Sequence, residues 1–185
     1  MSSIRQFIPV YTVADYQHWK GDWELWNGVA IAMTPSPFGG HQRVVSRLAQ
    51  IFLDGLDKHS RESSCSNCGV YVDLDWIVSN DTVVRPDLIV DCGDWVQEHL
   101  RRVPSIAVEV RSPSTAQNDS TYKFRLYEEH AVGYYIMVDP ISKSIEFYGL
   151  VDGKFDRMWM NQTNRIAFRL KDGCTLQADF TKLFH

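Results

Sequence analysis

The chain has 185 residues, 44% of them hydrophobic and 12% aromatic, and a net charge of −4. That length and composition make one domain with enough apolar material for a buried core. The acidic balance excludes a broad basic surface, so a polyanion would need a local cationic patch or metal ions that screen carboxylates.

Residues 1–13 read as an N-terminal arm. Thr12 is a suitable N-cap for a short helix over Ala14–Lys20, and Gly21-Asp22 breaks it. Trp23–Trp26 and Val29–Met33 are aromatic and β-branched runs joined by Asn27-Gly28, a strong hairpin signal. Thr34–Gly40, with its prolines and glycines, is expected to be a loop. From His41 to about Lys58, apolar residues at Val44, Val45, Leu48, Ile51, Phe52 and Leu56 fall on one helical face. Ser60–Asn67 is polar and loop-like. Gly69–Ile77 alternates as one half-buried strand, with Asp73 and Asp75 expected on its solvated face. Val83-Val84 leads through Arg85-Pro86-Asp87 into Leu88–Val90, a strand with a proline at its start or edge. Asp91–Val103 is a polar loop.

Ile106–Val110 is a β-branched run, Ser112–Thr115 breaks it, Asp119–His130 is helical and Gly133–Val138 is again β-rich. Strand, helix and strand with short joints predict parallel neighbours in a covered sheet. Hairpins follow at Ser144–Leu150 with Lys154–Trp159, over Asp152-Gly153, and at Arg165–Leu170 with Gly173–Leu176. Phe180–Phe184 ends the chain as a short docked turn.

The chemistry concentrates in the middle. Glu109 interrupts an otherwise buried strand, where a carboxylate is costly unless it is paired or binds a metal. Asp87 heads another apolar run, and Lys123 sits on the next helix. Two carboxylates with an adjacent cation suit a hard divalent ion such as Mg²⁺ or Mn²⁺, which takes oxygen ligands, water and phosphate. The plainer alternatives are that Asp87 caps a turn, that Glu109 pairs with Arg85 or Arg111, and that Lys123 pairs with Asp119 one helical turn away. His41 opens a helix, where free amides can meet phosphate or where the side chain simply caps.

These pieces occur in an order that resembles the PD-(D/E)xK nuclease superfamily. More closely, they resemble a bacterial family of restriction-endonuclease-like proteins once known only as a domain of unknown function. The matching residues are Trp23-Glu24-Leu25-Trp26-Asn27-Gly28, Pro35-Ser36 to His41, Arg85-Pro86-Asp87, Glu109 to Thr115, Lys123 with Tyr127, and Gly133-Tyr134-Tyr135 to Asp139-Pro140. They span about residues 20–150. The resemblance implies an α/β fold: a restriction-endonuclease-like mixed central sheet flanked by helices, with additional antiparallel β-hairpins, in a single domain. It implies that Asp87, Glu109 and the Val110 carbonyl bind Mg²⁺ or Mn²⁺, and that Glu24 completes the site. In most of the superfamily a lysine stands two residues after the glutamate. Here that position is Arg111, which stays protonated and cannot act as a base. In the narrower family the lysine moves to the following helix, at the place of Lys123. Arg111 is left to bind phosphate or to offset the carboxylates.

The implied activity is metal-dependent endonuclease hydrolysis of phosphodiester bonds in nucleic acid, DNA before RNA, by a cytoplasmic protein that forms a homodimer. A binding module that retains the nuclease fold without turnover is the main alternative, and a hydrolase of a small phosphorylated molecule is another. No apolar run reaches the ~20 residues that span a bilayer, and the N-terminal stretch lacks the features of a signal peptide. The four cysteines, Cys65, Cys68, Cys92 and Cys174, are expected as reduced thiols. Cys65-Ser66-Asn67-Cys68 is an isolated CxxC, with no companion pair at zinc-finger spacing. The tryptophans are expected in the core or a dimer interface before serving as stacking platforms.

Overall fold

A computed structural model describes residues 9–33, 39–60, 65–112, 119–171 and 173–185. Four sequence expectations fall wholly or partly outside these residues: the start of the N-terminal arm, most of the Thr34–Gly40 loop, part of the Ser60–Asn67 loop and most of the Ser112–Thr115 break.

The chain opens with a short helix, α1 (Val13–Tyr16), and the hairpin β1 (Trp23–Trp26) and β2 (Val29–Ala32). Asn27 and Gly28 both adopt positive φ, 48° and 81°, as a two-residue turn matched to strand twist requires. The long helix α2 (Gly39–Ser60) follows, then β3 (Cys68–Val72), β4 (Trp76–Ser79), β5 (Thr82–Val84), β6 (Leu88–Cys92) and β7 (Ile106–Val110). A π-helical turn (Asp119–Lys123) runs into α3 (Phe124–Glu129), and β8 (Tyr134–Asp139), β9 (Ser144–Val151), β10 (Lys154–Met158), β11 (Arg165–Arg169) and β12 (Thr175–Asp179) complete the chain.

The main sheet has six strands in the order β10-β9-β8-β7-β6-β3. Only β7 and β8 are parallel, joined by the crossover through α3, as the strand–helix–strand pattern requires. Every residue of β7 is buried, which fits a central strand covered on both faces. Val44, Leu48, Phe52 and Leu56 of α2 pack with the β11–β12 hairpin on one face, over Leu88, Val90, Ile106 and Val108. Leu126 and Tyr127 cover the other face, over Ile89, Ala107 and Tyr135. The helix and hairpin approach so closely that a Cβ on Gly55 would stand 2.7 Å from the Gln177 carbonyl, so no larger residue fits there. A second sheet, β2-β1-β5-β4, abuts the first.

The structure corrects the expected strands in two places. Gly69–Ile77 is not one strand: the chain breaks at Asp73, whose φ is 52°, and β3 and β4 belong to different sheets. The run from Val83 to Val90 also splits, because Arg85-Pro86-Asp87 carries the chain from the second sheet into the first. Asp75 is therefore not solvated. It is buried, accepting hydrogen bonds from Arg85 Nε at 2.7 Å and Tyr16 Oη at 2.9 Å.

The cysteines are corrected as well. Cys65 is disulfide-bonded to Cys174 and Cys68 to Cys92, so Cys92 and Cys174 are the companions that the sequence spacing concealed. Among the described residues no helix is long and apolar enough to cross a membrane.

Candidate active site

The second sheet delivers Glu24, the crossover delivers Asp87, β7 delivers Glu109 and the π-helical turn delivers Lys123. Residues 107 and 109 share the face of β7 that looks toward α3, which aims the Glu109 carboxylate at the crossover helix. Lys123 and Tyr127 are four residues apart on that helix and meet it together.

Lys123 is 3% exposed. Its Nζ lies 3.0 Å from Glu24 Oε1 and 3.1 Å from Glu109 Oε1, and it also faces the Arg85 carbonyl at 3.5 Å. An ammonium has three N–H donors, and Glu24, Glu109 and the Arg85 carbonyl are among the groups they face. The side chain does not lie along a solvated helix surface, because it is buried. Glu109 pairs with Lys123 and accepts a 2.6 Å hydrogen bond from Tyr127 Oη, rather than pairing with Arg85 or Arg111. Burial, then the Glu109 charge, holds the Tyr127 hydroxyl well above its ordinary pKa, so it donates and does not ionise.

Glu24 is also satisfied on both oxygens. The Arg85 amide donates to Oε1 at 2.6 Å and Trp26 Nε1 donates to Oε2 at 2.9 Å. Trp26 in turn stacks on Tyr122, with ring centroids 4.2 Å apart. The Arg85 side chain leaves the site for Asp75 and Asp22, and this anchors the backbone that serves Glu24 and Lys123.

Asp87 stands at the end of the β6–β7 ladder. The register pairs Leu88 with Val108, so Val110 falls opposite Pro86, which has no N–H. The Asp87 carboxylate takes over the ladder's role and accepts the Val110 amide at 2.6 Å. Its other oxygen lies 3.1 Å from His41 Nε2. His41 is therefore not an N-cap: α2 begins at Gly39, and the imidazole is buried and turned onto Asp87. That hydrogen bond raises the His41 pKa, burial opposes it, and the charges of Asp87 and Asp73 and the Val110 backbone add to the rise. Burial and the nearby Asp87 charge raise the pKa of Asp73.

Asp87, Glu109, Val110, Lys123, Glu24 and His41 thus form one connected cluster at the end of the sheet. Arg111 does not join it. Its Nη2 lies 3.7 Å from the Met137 sulfur, and no carboxylate among the described residues is within ion-pairing distance. Sequence reading gave no role to Tyr127 or Trp26, whose hydrogen bonds orient the two glutamates. The four-residue spacing from Lys123 was the available signal for Tyr127.

The donors fit a hard divalent cation. Asp87, Glu109 and the Val110 carbonyl are all oxygen donors, and Val110 has no ladder donor opposite it. Among the described residues no group of three or more His, Cys, Asp or Glu side chains is arranged for a metal. Two carboxylates, with water and phosphate filling the remaining positions, are what Mg²⁺ needs.

The architecture is that of a restriction-endonuclease-like fold. A solved structure of a "putative nuclease belonging to DUF820" from Anabaena variabilis ATCC 29413 superposes with a TM-score of 0.72, covering 94% of this chain and 97% of that one at 15% identity. The family model described as "Uma2: Putative restriction endonuclease" matches residues 13–170, and the chain belongs to that family. No curated protein sequence matches the chain significantly.

Proposed function

We propose that this protein is a metal-dependent nuclease that hydrolyses phosphodiester bonds in nucleic acid, with DNA as its substrate. The observation that supports this most is the buried Lys123 ammonium, held between Glu24 and Glu109, with the Asp87 carboxylate bonded to the amide of Val110, the residue after Glu109. A bound Mg²⁺ or Mn²⁺ would be held by Asp87, Glu109 and the Val110 carbonyl, and would lower the pKa of a water and offset charge developing at phosphorus.

Lys123, held by two carboxylates, acts as a proton donor and electrostatic anchor rather than a base. Its weakest contact is the Arg85 carbonyl at 3.5 Å, so that N–H can turn to a phosphoryl oxygen while the two ion pairs remain. Glu24 fixes Lys123, and Tyr127 fixes the Glu109 carboxylate. These outer contacts keep both charges aimed at one point before substrate arrives. His41, whose Nε2 lies 3.1 Å from Asp87, orients that carboxylate from outside the metal position.

Glu109→Gln tests the reading. The amide keeps the size and an acceptor for Tyr127 but loses the charge. Cleavage of plasmid and single-stranded DNA in Mg²⁺ or Mn²⁺ should fall by more than the ~10–100-fold typical of outer contacts, while circular dichroism stays native. Wild-type cleavage rates in the variant would refute the mechanism. Arg111, standing where most of the superfamily carries the lysine, favours a second reading, a binding module of the same fold. That reading predicts DNA retention that weakens steeply with salt and no turnover.

A further inference from the structure

The four cysteines meet at one place, away from the carboxylate cluster. Cys65 and Cys68 end a single turn closed by the Cys68 amide on the Cys65 carbonyl at 3.1 Å. Cys65 is bonded to Cys174 and Cys68 to Cys92, so the bridges bring all four sulfurs to the ends of that turn. The Cα atoms are 5.1 Å apart in the first pair and 3.9 Å in the second. A hydrogen bond of 2.7 Å from the Gly93 amide to the Asn67 carbonyl ties the turn to the Cys92 segment.

We propose that the reduced form of this quartet is a structural zinc site, with Cys65, Cys68, Cys92 and Cys174 as its four thiolate ligands. A C-x₂-C turn supplies two ligands, and the other two each adjoin a positive-φ glycine, Gly93 and Gly173, where the chain bends sharply. Four sulfurs about 2.3 Å from zinc form a tetrahedron with edges of about 3.8 Å, a span that side-chain rotation reaches from Cα atoms this close. In the bridged form no three such side chains among the described residues are placed for a metal. Opening each bridge takes two electrons and two protons from a dithiol reductant, which itself becomes a disulfide. Zinc then displaces the four thiol protons, and the closed tetrathiolate carries a net charge of −2.

Charges of both signs stand around it. The Arg102 guanidinium, ion-paired with the buried Asp91 carboxylate, lies over the backbone beside Cys92, with Nε 2.9 Å from where a Cβ on Gly93 would stand. Lys171, three residues before Cys174, is exposed, with its Nζ on the Val103 carbonyl at 2.9 Å. The site joins the start of β3, the end of β6 and the β11–β12 turn. It thereby holds the hairpin that covers α2 against the edge of the main sheet.

The test uses the full chain carrying Asp87→Asn, so that metal taken up by the carboxylate cluster is not counted. The protein is reduced anaerobically, loaded with zinc or cobalt, and desalted. The expected result is one zinc per chain, and with cobalt the visible bands and near-ultraviolet thiolate charge-transfer absorption of a tetrahedral sulfur site. Adding Cys92→Ser or Cys174→Ser should shift the zinc to a chelator that leaves the four-cysteine protein loaded. If a natively folded, reduced four-cysteine protein takes up no zinc, or its cobalt form lacks the thiolate band, the proposal is wrong. Those two readings stand even if a serine variant fails to fold.

Discussion

Replacing Lys123 with methionine probes the most heavily buried cation among the described residues. The change keeps the side chain out to the ε position and removes the ammonium that Glu24 and Glu109 share at 3.0 and 3.1 Å. At an effective dielectric near 20 each contact carries roughly 5 kcal/mol of gross attraction, most of it offset by the cost of burying the ions. Breaking such a pair by deleting one partner costs about 3–5 kcal/mol, because the remaining charge is stranded. Here two carboxylates are stranded together, 3% and 6% exposed. Glu24 keeps the Arg85 and Trp26 donors and Glu109 keeps Tyr127, which places the loss in that range rather than above it. The variant's folded state should then relieve the repulsion by binding a proton, raising a carboxyl pKa above its unfolded value. A folded state that binds the extra proton gains stability as pH falls, so the deficit should shrink from pH 8 to pH 5.5. Urea denaturation of both proteins at the two pH values measures this, and adding Glu109→Gln should recover much of the loss. A deficit below about 1 kcal/mol, equal at both pH values, would refute the buried triad.

The Tyr127 hydroxyl donates to Glu109 at 2.6 Å in a fully buried setting. Tyr127→Phe should cost about 1–3 kcal/mol of stability and about 10–100-fold in cleavage rate, read by urea melts and a plasmid assay. Gly28 holds φ at +81°, and a Cβ there would stand 2.5 Å from Val10 Cγ1. Gly28→Ala should therefore cost about 1–3 kcal/mol, with cleavage chemistry unchanged at temperatures where the protein stays folded.

Much of the fold was legible because its signals are local. The stripe from Val44 to Leu56 specifies α2, Asn27-Gly28 specifies the first hairpin, and the run Ile106–Val110 specifies a strand covered on both faces. Asp87 and Glu109 drew attention as candidates because charges inside or beside apolar runs need a reason, and Lys123 because its place matches the order of residues in the family it resembles. The misses came from contacts between distant residues. Alternation continues through Asp73, and apolar runs flank Arg85-Pro86-Asp87 on both sides, so pattern alone cannot show that the chain changes sheets at these places. Asp75 reads as a surface residue until Arg85 and Tyr16 close over it. The cysteine pairs are separated by 109 and 24 residues: the packing of the β11–β12 hairpin brings Cys174 to Cys65, and the β3–β6 pairing sets Cys68 opposite Cys92. His41 reads as a helix cap because nothing near it in sequence announces Asp87.

The most direct test of the central claim is a calorimetric titration of Mn²⁺ into the wild type and Asp87→Asn, which needs no choice of substrate. The site described here predicts saturable binding by the wild type that disappears in the variant, with circular dichroism unchanged. Equal Mn²⁺ binding by both proteins would contradict it, because the ion would then be held without the carboxylate on which the proposed chemistry depends.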